Sequence, residues 1–185
     1  MKKFLALLLV LSLSLPAQAQ PTVINQVLKS VVQVLSYQGE RNTSFCTGVV
    51  VGIDRAITAR HCISDAESFT VDGQPSRVLK LENELALISI QVGSKSIIDV
   101  RKESVQIGDT IRTFGYAWGD MTILKRDIAA KANDDIIMDG GLAPGMSGGP
   151  VVDSNGKLAG INQGTTTVTS IACGVKEIRD IMGIK

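Results

Sequence analysis

The chain has 185 residues, of which 44% are hydrophobic and 20% charged, and its 19 basic and 18 acidic residues leave a formal net charge of +1. No basic patch stands out along the sequence, which argues against a nucleic acid as partner. A chain of this length fits one domain, or two small lobes that share a core.

The first 19 residues have the pattern of a secretory signal peptide. Lys-Lys at residues 2–3 is a basic start, residues 4–15 are apolar apart from two serines, and Ala-Gln-Ala at residues 17–19 resembles a cleavage site. We expect cleavage after Ala19 and a secreted or periplasmic chain of residues 20–185. The apolar run of about twelve residues is short for a bilayer span, so an uncleaved anchor is the less favoured alternative. No later segment is long and apolar enough to cross a membrane, so we expect no stable membrane insertion after cleavage.

Export would place the three cysteines in a compartment where disulfides form. Cys46 and Cys62 are sixteen residues apart, across two predicted neighbouring strands, so we pair them. Closing such a loop would stabilise the fold by about 3 kcal/mol. We expect the remaining Cys173 to be a buried small hydrophobe. Because the chain has a single histidine, His61, and no Cys-x-x-Cys pair, a zinc cluster is not expected, and we predict neither metal nor cofactor.

From residue 30 onward the hydrophobic pattern is that of short β-strands, with turns about every ten residues. Residues 20–29 are expected to form a short helix or an arm. Strands are predicted at residues 31–35, 47–53, 56–59, 68–71, 78–81 and 85–90, and in a second set at residues 111–116, 121–129, 136–138, 150–152, 158–163 and 166–172.

A polar stretch at residues 93–104 separates the two sets, and the apolar spacing of residues 175–182 predicts a helix. Small antiparallel lobes tend to close into barrels, because closure removes exposed strand edges. The expected fold class is therefore all-β, with two six-stranded antiparallel β-barrels and a C-terminal α-helix. The expected limits are about 30–92 and 104–174 for the two barrels and about 175–183 for the helix.

The run Gly-Met-Ser-Gly-Gly-Pro at residues 145–150 is the first candidate for chemistry. Glycine permits backbone conformations that a Cβ would block, so such a loop can present Ser147 while backbone N–H groups point at the group it attacks. Taken alone, a surface turn that happens to contain serine is an equally good interpretation. A serine nucleophile needs a base, and His61 stands at the end of a predicted strand, beside Cys62.

A histidine base in turn needs a carboxylate that fixes its tautomer and stabilises the imidazolium. Glu84 is the best candidate, because it stands at the start of an apolar strand where a carboxylate can be half buried. Glu82, Asp65 and Asp72 remain alternatives.

Three motifs resemble those of chymotrypsin-like (trypsin-fold) serine proteases, in the same order along the chain. Thr-Ala-Arg-His-Cys at residues 58–62 resembles the histidine motif, and residues 145–150 resemble the serine motif. Glu-Leu-Ala-Leu at residues 84–87 resembles the Asp-Leu-Ala-Leu motif, with Glu in place of Asp. Cys46 and Cys62 match the family's disulfide beside the base. Residues 155–181 are most similar to the bacterial HtrA-like secreted branch, here expected without a PDZ domain because few residues follow the helix.

The resemblance implies a serine endopeptidase that hydrolyses peptide or protein substrates through an acyl-enzyme. Ser147 would be the nucleophile, His61 the general base and then acid, and Glu84 the group that orients His61. The N–H groups of Gly145 and Ser147 would form the oxyanion hole. Because the acid is Glu, a catalytically impaired protease fold that serves as a binding module is the alternative.

By the same resemblance a primary substrate pocket is expected, uncharged and suited to an apolar or small side chain rather than to Arg or Lys. Its lining would be Gly141, Leu142, Gln163, Gly164, Thr165 and Gly174. Met146 stands where digestive members of the family carry an Asp that pairs with a newly cut N-terminus. Methionine cannot form that pair, so no activation by N-terminal insertion is expected.

Overall fold

The computed structural model describes residues 20–39, 42–91, 93 and 95–184, so the predicted signal peptide lies outside the described residues. The described part contains two helices, α1 (Gln20–Leu28) and α2 (Val175–Met182), and a 3-10 turn at Arg60–Cys62. Its strands are β1 (Val31–Gln38), β2 (Asn42–Gly52), β3 (Arg55–Ala59), β4 (Ser68–Val71), β5 (Gln74–Pro75), β6 (Val78–Glu82), β7 (Leu85–Ser89), β8 (Thr110–Ala117), β9 (Asp120–Ala132), β10 (Asp135–Asp139), β11 (Pro150–Val152), β12 (Leu158–Thr165) and β13 (Thr169–Cys173).

The first lobe is a seven-stranded antiparallel sheet in the order β5-β4-β1-β2-β3-β7-β6. It differs from the predicted closed six-stranded barrel, because the sheet stays open between β5 and β6. The extra strand, β5, has only two residues, and its proline has no N–H to continue a ladder. Ser76 partly bridges the gap: its backbone N–H donates to Phe69 O at 3.2 Å, and its hydroxyl donates to Ser89 O at 2.5 Å.

The second lobe is a closed barrel in the order β10-β13-β12-β11-β8-β9, as the strand pattern predicts. A tight turn joins β11 to β12, where Gly156 has a φ of +77°. The carboxylate of Asp153 fixes this turn by accepting the N–H groups of Asn155 and Lys157, both at 2.9 Å. After β13 the chain enters α2, which covers the residues that the apolar spacing predicts.

The two lobes share a hydrophobic core in addition to their own interiors. This shared cluster joins Val49 and Leu85 of the first lobe to Phe114 and Ile161 of the second, and Ile178 of α2 packs into it. Burial of these side chains fixes the lobes against each other, because apolar surface removed from water favours the closed arrangement.

The segment predicted as a linker contacts both lobes in its described part. Ile98 N–H donates to Val50 O at 3.0 Å, and Arg101 N–H donates to Leu158 O at 2.9 Å. Neither helix in the described part of the chain combines the length and the hydrophobicity needed to span a membrane.

Candidate active site

Ser147 lies in the connection between β10 and β11. We call residues 143–149 of this connection the serine loop. Gly145 has a φ of +97° and Gly148 a φ of +79°, both in the region that L side chains rarely adopt. A Cβ on Gly145 would lie 2.1 Å from a backbone oxygen of β8, and one on Gly148 would lie 2.1 Å from a backbone oxygen of β2. The loop therefore packs directly against both lobes, and both positions require glycine.

A tight turn precedes the serine. Met146 N–H donates to Ala143 O at 3.1 Å, and Pro144 and Gly145 take the second and third positions, as in a type II turn. From the β8–β9 hairpin, Trp118 N–H donates to Pro144 O at 2.9 Å. Because C=O and N–H point in opposite directions across a trans peptide, this bond turns the Gly145 N–H away from the hairpin.

The backbone N–H groups of Gly145 and Ser147 have no acceptor among the described residues. Buried backbone donors are normally paired, so two unpaired donors on either side of Met146 are notable. Donors held in this way are what an oxyanion hole requires. The backbone of the serine loop is therefore compatible with the oxyanion hole that the motif predicts.

Thr47 of β2 joins the serine loop to the first lobe. Its N–H donates to Ser147 O at 2.8 Å, and its hydroxyl donates to Gly145 O at 2.7 Å and accepts from Tyr116 N–H at 2.9 Å. Its own carbonyl oxygen accepts a hydrogen bond from the Thr58 hydroxyl at 2.7 Å. Thr58 lies on β3, the strand that precedes His61. Sequence reasoning did not single out Thr47; its position beside Cys46 is the one signal that could have done so.

His61 lies in the 3-10 turn that follows β3. The turn is closed by the N–H groups of Ile63 and Ser64, which both donate to Arg60 O at 3.1 Å. The disulfide between Cys46 and Cys62 ties the turn to β2. His61 is thereby held next to the strand that carries Thr47.

Glu84 lies in the two-residue turn between β6 and β7, where Asn83 adopts a φ of +48°. Its backbone oxygen accepts the N–H of Arg60 at 2.8 Å, one residue before His61. The Arg60 guanidinium also donates to Asn83 O, at 3.3 Å. The chain therefore fixes this turn beside the histidine through Arg60.

The other candidate acids have different surroundings. Glu82 pairs with Lys80, and Asp72 pairs with Lys95 at 2.8 Å. Asp65 lines a cavity on the first lobe. Of the four carboxylates that the sequence left open, Glu84 is the one whose charge acts on the pKa of His61.

Two opposing effects set the pKa of His61. Burial lowers it below the ordinary value of 6.5, and the negative charge of Glu84 raises it, with burial the larger effect. Part of the residue is nevertheless open to solvent. A lowered pKa keeps the ring neutral at pH 7, which is the form that can accept a proton from serine.

The side chains of Ser147, His61 and Glu84 are not hydrogen-bonded to one another in this structure. Within the described part of the chain, no hydrogen bond links the Ser147 hydroxyl to His61, or His61 to the Glu84 carboxylate. Catalytic hydrogen bonds are often long or poorly aligned before substrate binds. The structure thus brings the three residues to one place through their main chains.

Several residues of the predicted substrate pocket lie together at one end of the second barrel. Leu142 N–H donates to the Thr165 hydroxyl at 2.9 Å, and a Cβ on Gly141 would lie 3.0 Å from that hydroxyl oxygen. Gly164 faces open space. Gly174 instead packs against Asp134: a Cβ on Gly174 would lie 2.1 Å from the Asp134 backbone oxygen.

The polar groups around this pocket differ from the sequence expectation. Arg126 of β9 donates from Nη2 to Gly141 O at 2.9 Å, so a positive charge lies beside a pocket predicted to be uncharged. Both amide atoms of Gln163 are inaccessible to solvent and have no hydrogen-bond partner among the described residues. Arg126 is distant from every motif in the chain, which is why sequence reasoning missed it.

Met146 anchors the serine loop in the protein interior, and Asn162 of β12 holds the loop through hydrogen bonds. Met146 is fully buried, and its Cα lies 2.7 Å from the position of a Cβ on Gly115. The Asn162 amide donates to Met146 O at 3.2 Å, and its backbone pairs with Gly148 and Gly149 at 2.8 and 2.9 Å. The loop is thus held without an ion pair at Met146.

Among the residues that the structure describes, two groups of side chains lie close enough to share a metal ion. The first is Cys46, His61 and Cys62, whose sulfurs are already joined in the disulfide. The second is Asp135, Cys173 and Glu177. Cys173 is unpaired and buried, as predicted, and burial raises its pKa, so the thiol is protonated.

Comparison with known proteins identifies the family to which the chain belongs. The profile of the trypsin-like peptidase domain matches residues 46–161, more than half of the chain, so the chain belongs to the trypsin-like peptidase family. Proteins similar to it include probable periplasmic serine endoproteases named as DegP-like. The family match thus shows a trypsin-like peptidase domain in this chain.

Two relatives and one solved structure illustrate the similarity. The chain is 29% identical over 153 residues to the magnetosome formation protease MamE of Paramagnetospirillum magneticum, covering 70% of this chain and 21% of that protein. It is 30% identical over 135 residues to a probable periplasmic DegP-like serine endoprotease of Chlamydia trachomatis, covering 63% and 27%. The chain thus spans about a quarter of the length of these relatives.

The active form of the Rv3671c protease from M. tuberculosis superposes with a TM-score of 0.80 at 20% identity, covering 87% of this chain and 82% of that one. At this identity the similarity shows the fold, which confirms the predicted trypsin-like architecture.

Proposed function

We propose that this chain is an exported serine endopeptidase in which Ser147, His61 and Glu84 hydrolyse peptide bonds through an acyl-enzyme. The observation that carries the proposal is the set of bonds at Thr47. That residue contacts both ends of the candidate oxyanion hole and, through Thr58, the strand that leads to His61. A surface turn with an incidental serine would have no reason to be fixed in this way.

In the proposed reaction, His61 takes the proton of the Ser147 hydroxyl as the oxygen attacks the carbonyl carbon of the peptide. The N–H groups of Gly145 and Ser147 stabilise the oxyanion; one such donor is worth about 3–4 kcal/mol in the transition state. His61 then gives the proton to the leaving amine, and the acyl-enzyme forms. Water activated by the same histidine hydrolyses the ester. Glu84 holds the tautomer of the ring and stabilises the imidazolium.

The expected substrates are peptides or unfolded proteins with a small or apolar residue before the scissile bond. The pocket of glycines and Leu142 supports this expectation, while Arg126 beside Gly141 disfavours a basic side chain there. Export is supported by the pattern of residues 1–19 and by relatives that are named as periplasmic. No step of the proposed reaction uses a metal ion or a cofactor.

Cleavage of an unfolded protein by purified residues 20–185 tests the proposal. Ser147→Ala and His61→Ala are each expected to lower the initial rate by about 10⁴-fold or more. Ser154→Ala is the matched control, because Ser154 is an exposed serine in the β11–β12 turn, and it should cleave like the parent. Failure of the parent to cleave any unfolded protein would favour the alternative, a protease fold that serves as a binding module.

A further inference from the structure

A cavity of about 450 Å³ opens on the first lobe beside His61. Its walls come from β1, β2 and the turn after His61, so it shares no residue with the predicted pocket of the second lobe. Gln38, Thr43 and Ser44 give it a polar lining. Asp65 is the one acidic or basic residue among its described lining residues, apart from His61 itself.

The position of Asp65 is fixed by the structure. The Gln38 side-chain amide donates to Asp65 O at 2.7 Å, which holds the backbone at the rim of the cavity. The Asp65 carboxylate has no cationic partner among the described ion pairs. Within the described residues, the cavity therefore carries one carboxylate that forms no ion pair.

The cavity lies beside His61 and close to the main chain of Ser147. Cys62, which lines it, has its Sγ 3.8 Å from the backbone oxygen of Ser147. In the proposed reaction His61 donates its proton to the leaving amine, which places the first residues of the leaving peptide alongside the histidine. The acyl half would occupy the pocket of the second lobe, around Gly141 and Thr165.

We infer that this cavity binds a lysine or arginine side chain from the first two residues after the scissile bond, and that Asp65 selects it. The inference rests on the proposed function and adds a substrate class to it. The basic head group would pair with the Asp65 carboxylate, while the hydroxyl and amide groups of Thr43, Ser44 and Gln38 would contact the peptide around it. An ion pair at an exposed rim is modest in strength, so the expected preference is about fivefold.

The test uses peptides with one fixed acyl half, taken from a site that the enzyme cuts in an unfolded protein. Lys, Arg, Ala or Glu is placed at the first or second position after the bond, and kcat/KM is measured for each. The parent should prefer Lys or Arg over Ala by about fivefold, with Glu the poorest. Asp65→Asn should bring the ratio of Lys to Ala close to one, and Asp65→Lys should favour Glu. Glu67→Gln, which removes an equal charge at an exposed position outside the cavity, should keep the parental ratio.

Raising the salt concentration should reduce the preference in the parent, because exposed charges are screened. If the peptides are cut but Lys and Arg give no advantage, or if Asp65→Asn keeps the advantage, the inference is wrong and the peptidase function stands. If no peptide is cut and the unfolded protein also stays intact, the proposed function fails, and the inference fails with it.

Discussion

Glu84 is the residue at which this site departs from the Asp-containing motif that it resembles. Its extra methylene moves the carboxylate by about one C–C bond, so the turn between β6 and β7 has to place the main chain correspondingly farther from the ring. The bond from Arg60 N–H to Glu84 O sets that distance. The charge of Glu84 raises the pKa of His61, as expected of a carboxylate close to the ring.

Substitution at Glu84 should therefore affect the rate more than substrate binding. Glu84→Gln is expected to lower kcat by about 10³–10⁴-fold with KM little changed, because the amide can stabilise the wrong tautomer of His61. Glu84→Asp should retain part of the activity, since the charge stays. The matched control is Glu82→Gln, in which an ion pair with Lys80 is lost outside the proposed triad. Full activity in Glu84→Gln would show that another carboxylate orients the histidine.

The pH profile offers a separate test of the same contact. Protonated His61 cannot act as a base, so kcat/KM should fall on the acidic side as pH drops through the pKa of His61, below 6.5. Because the Glu84 charge raises the pKa of His61, Glu84→Gln should lower that pKa. The acidic limb of its residual activity should therefore move to a lower pH. A limb that moves to higher pH, or does not move, would contradict the assignment.

At the scale of single residues, the sequence predicts some members of the candidate active site and cannot predict others. Ser147, His61 and Glu84 follow from local motifs whose chemistry is readable from residue type. Thr47 and Arg126 act through hydrogen bonds to distant backbone oxygens, and a sequence without a fold contains no signal for such contacts. The unpaired amide of Gln163 is likewise visible only once the barrel is built.

The serine loop depends on two neighbouring elements, strand β2 and the β8–β9 hairpin. β2 contributes Thr47, and the hairpin contributes the N–H of Trp118, an exposed residue with a φ of +54°. A bulky side chain in that region is strained, and such strain concentrates at functional sites. The orientation of the Gly145 peptide is thus fixed by elements outside the loop.

Thr47→Val should remove hydrogen bonds that hold the serine loop, while the side chain keeps almost the same shape. Thr47 is fully buried, and valine leaves Gly145 O and Tyr116 N–H without their partner, at about 1–3 kcal/mol for each. We expect a lower melting temperature and a kcat that falls more than KM changes. Thr70→Val is the matched control, because the Thr70 hydroxyl is inaccessible and unpaired within the described residues, so its removal should cost nothing. Equal effects of the two substitutions would argue against a special role for Thr47.

Element positions were largely predictable because hydrophobic alternation and turn residues are local signals. Strand β4, strand β11 and helix α2 have the predicted limits, and the second barrel closes as expected. The open edge of the first lobe was not predictable, since it depends on β5, a strand of only two residues that no hydrophobic alternation marks. Whether a sheet closes is decided by pairing between distant strands, which local patterns do not report.

At the scale of the whole molecule, the shared core and the buried Met146 indicate a site that is assembled on folding. The N-terminal helix α1 packs through Val27 into the cluster between the lobes. The serine loop is held by Asn162 and Thr47 rather than by an ion pair with a chain terminus. We therefore expect that no trimming step is needed to shape the proposed oxyanion hole.

Purified residues 20–185 should accordingly be active from the first turnover. Progress curves are expected to start without a lag, and mass spectrometry should find the intact chain during the linear phase. A preparation that is inert until another protease shortens it would contradict this expectation.

The central claim, that His61 activates Ser147 for attack, is tested most directly by a fluorophosphonate probe. The probe is added to residues 20–185, and the labelled residue is mapped by mass spectrometry. The account predicts one adduct, on Ser147, that is lost in His61→Ala and kept in Ser154→Ala. An unlabelled Ser147 in the folded parent, or labelling that persists in His61→Ala, would contradict it.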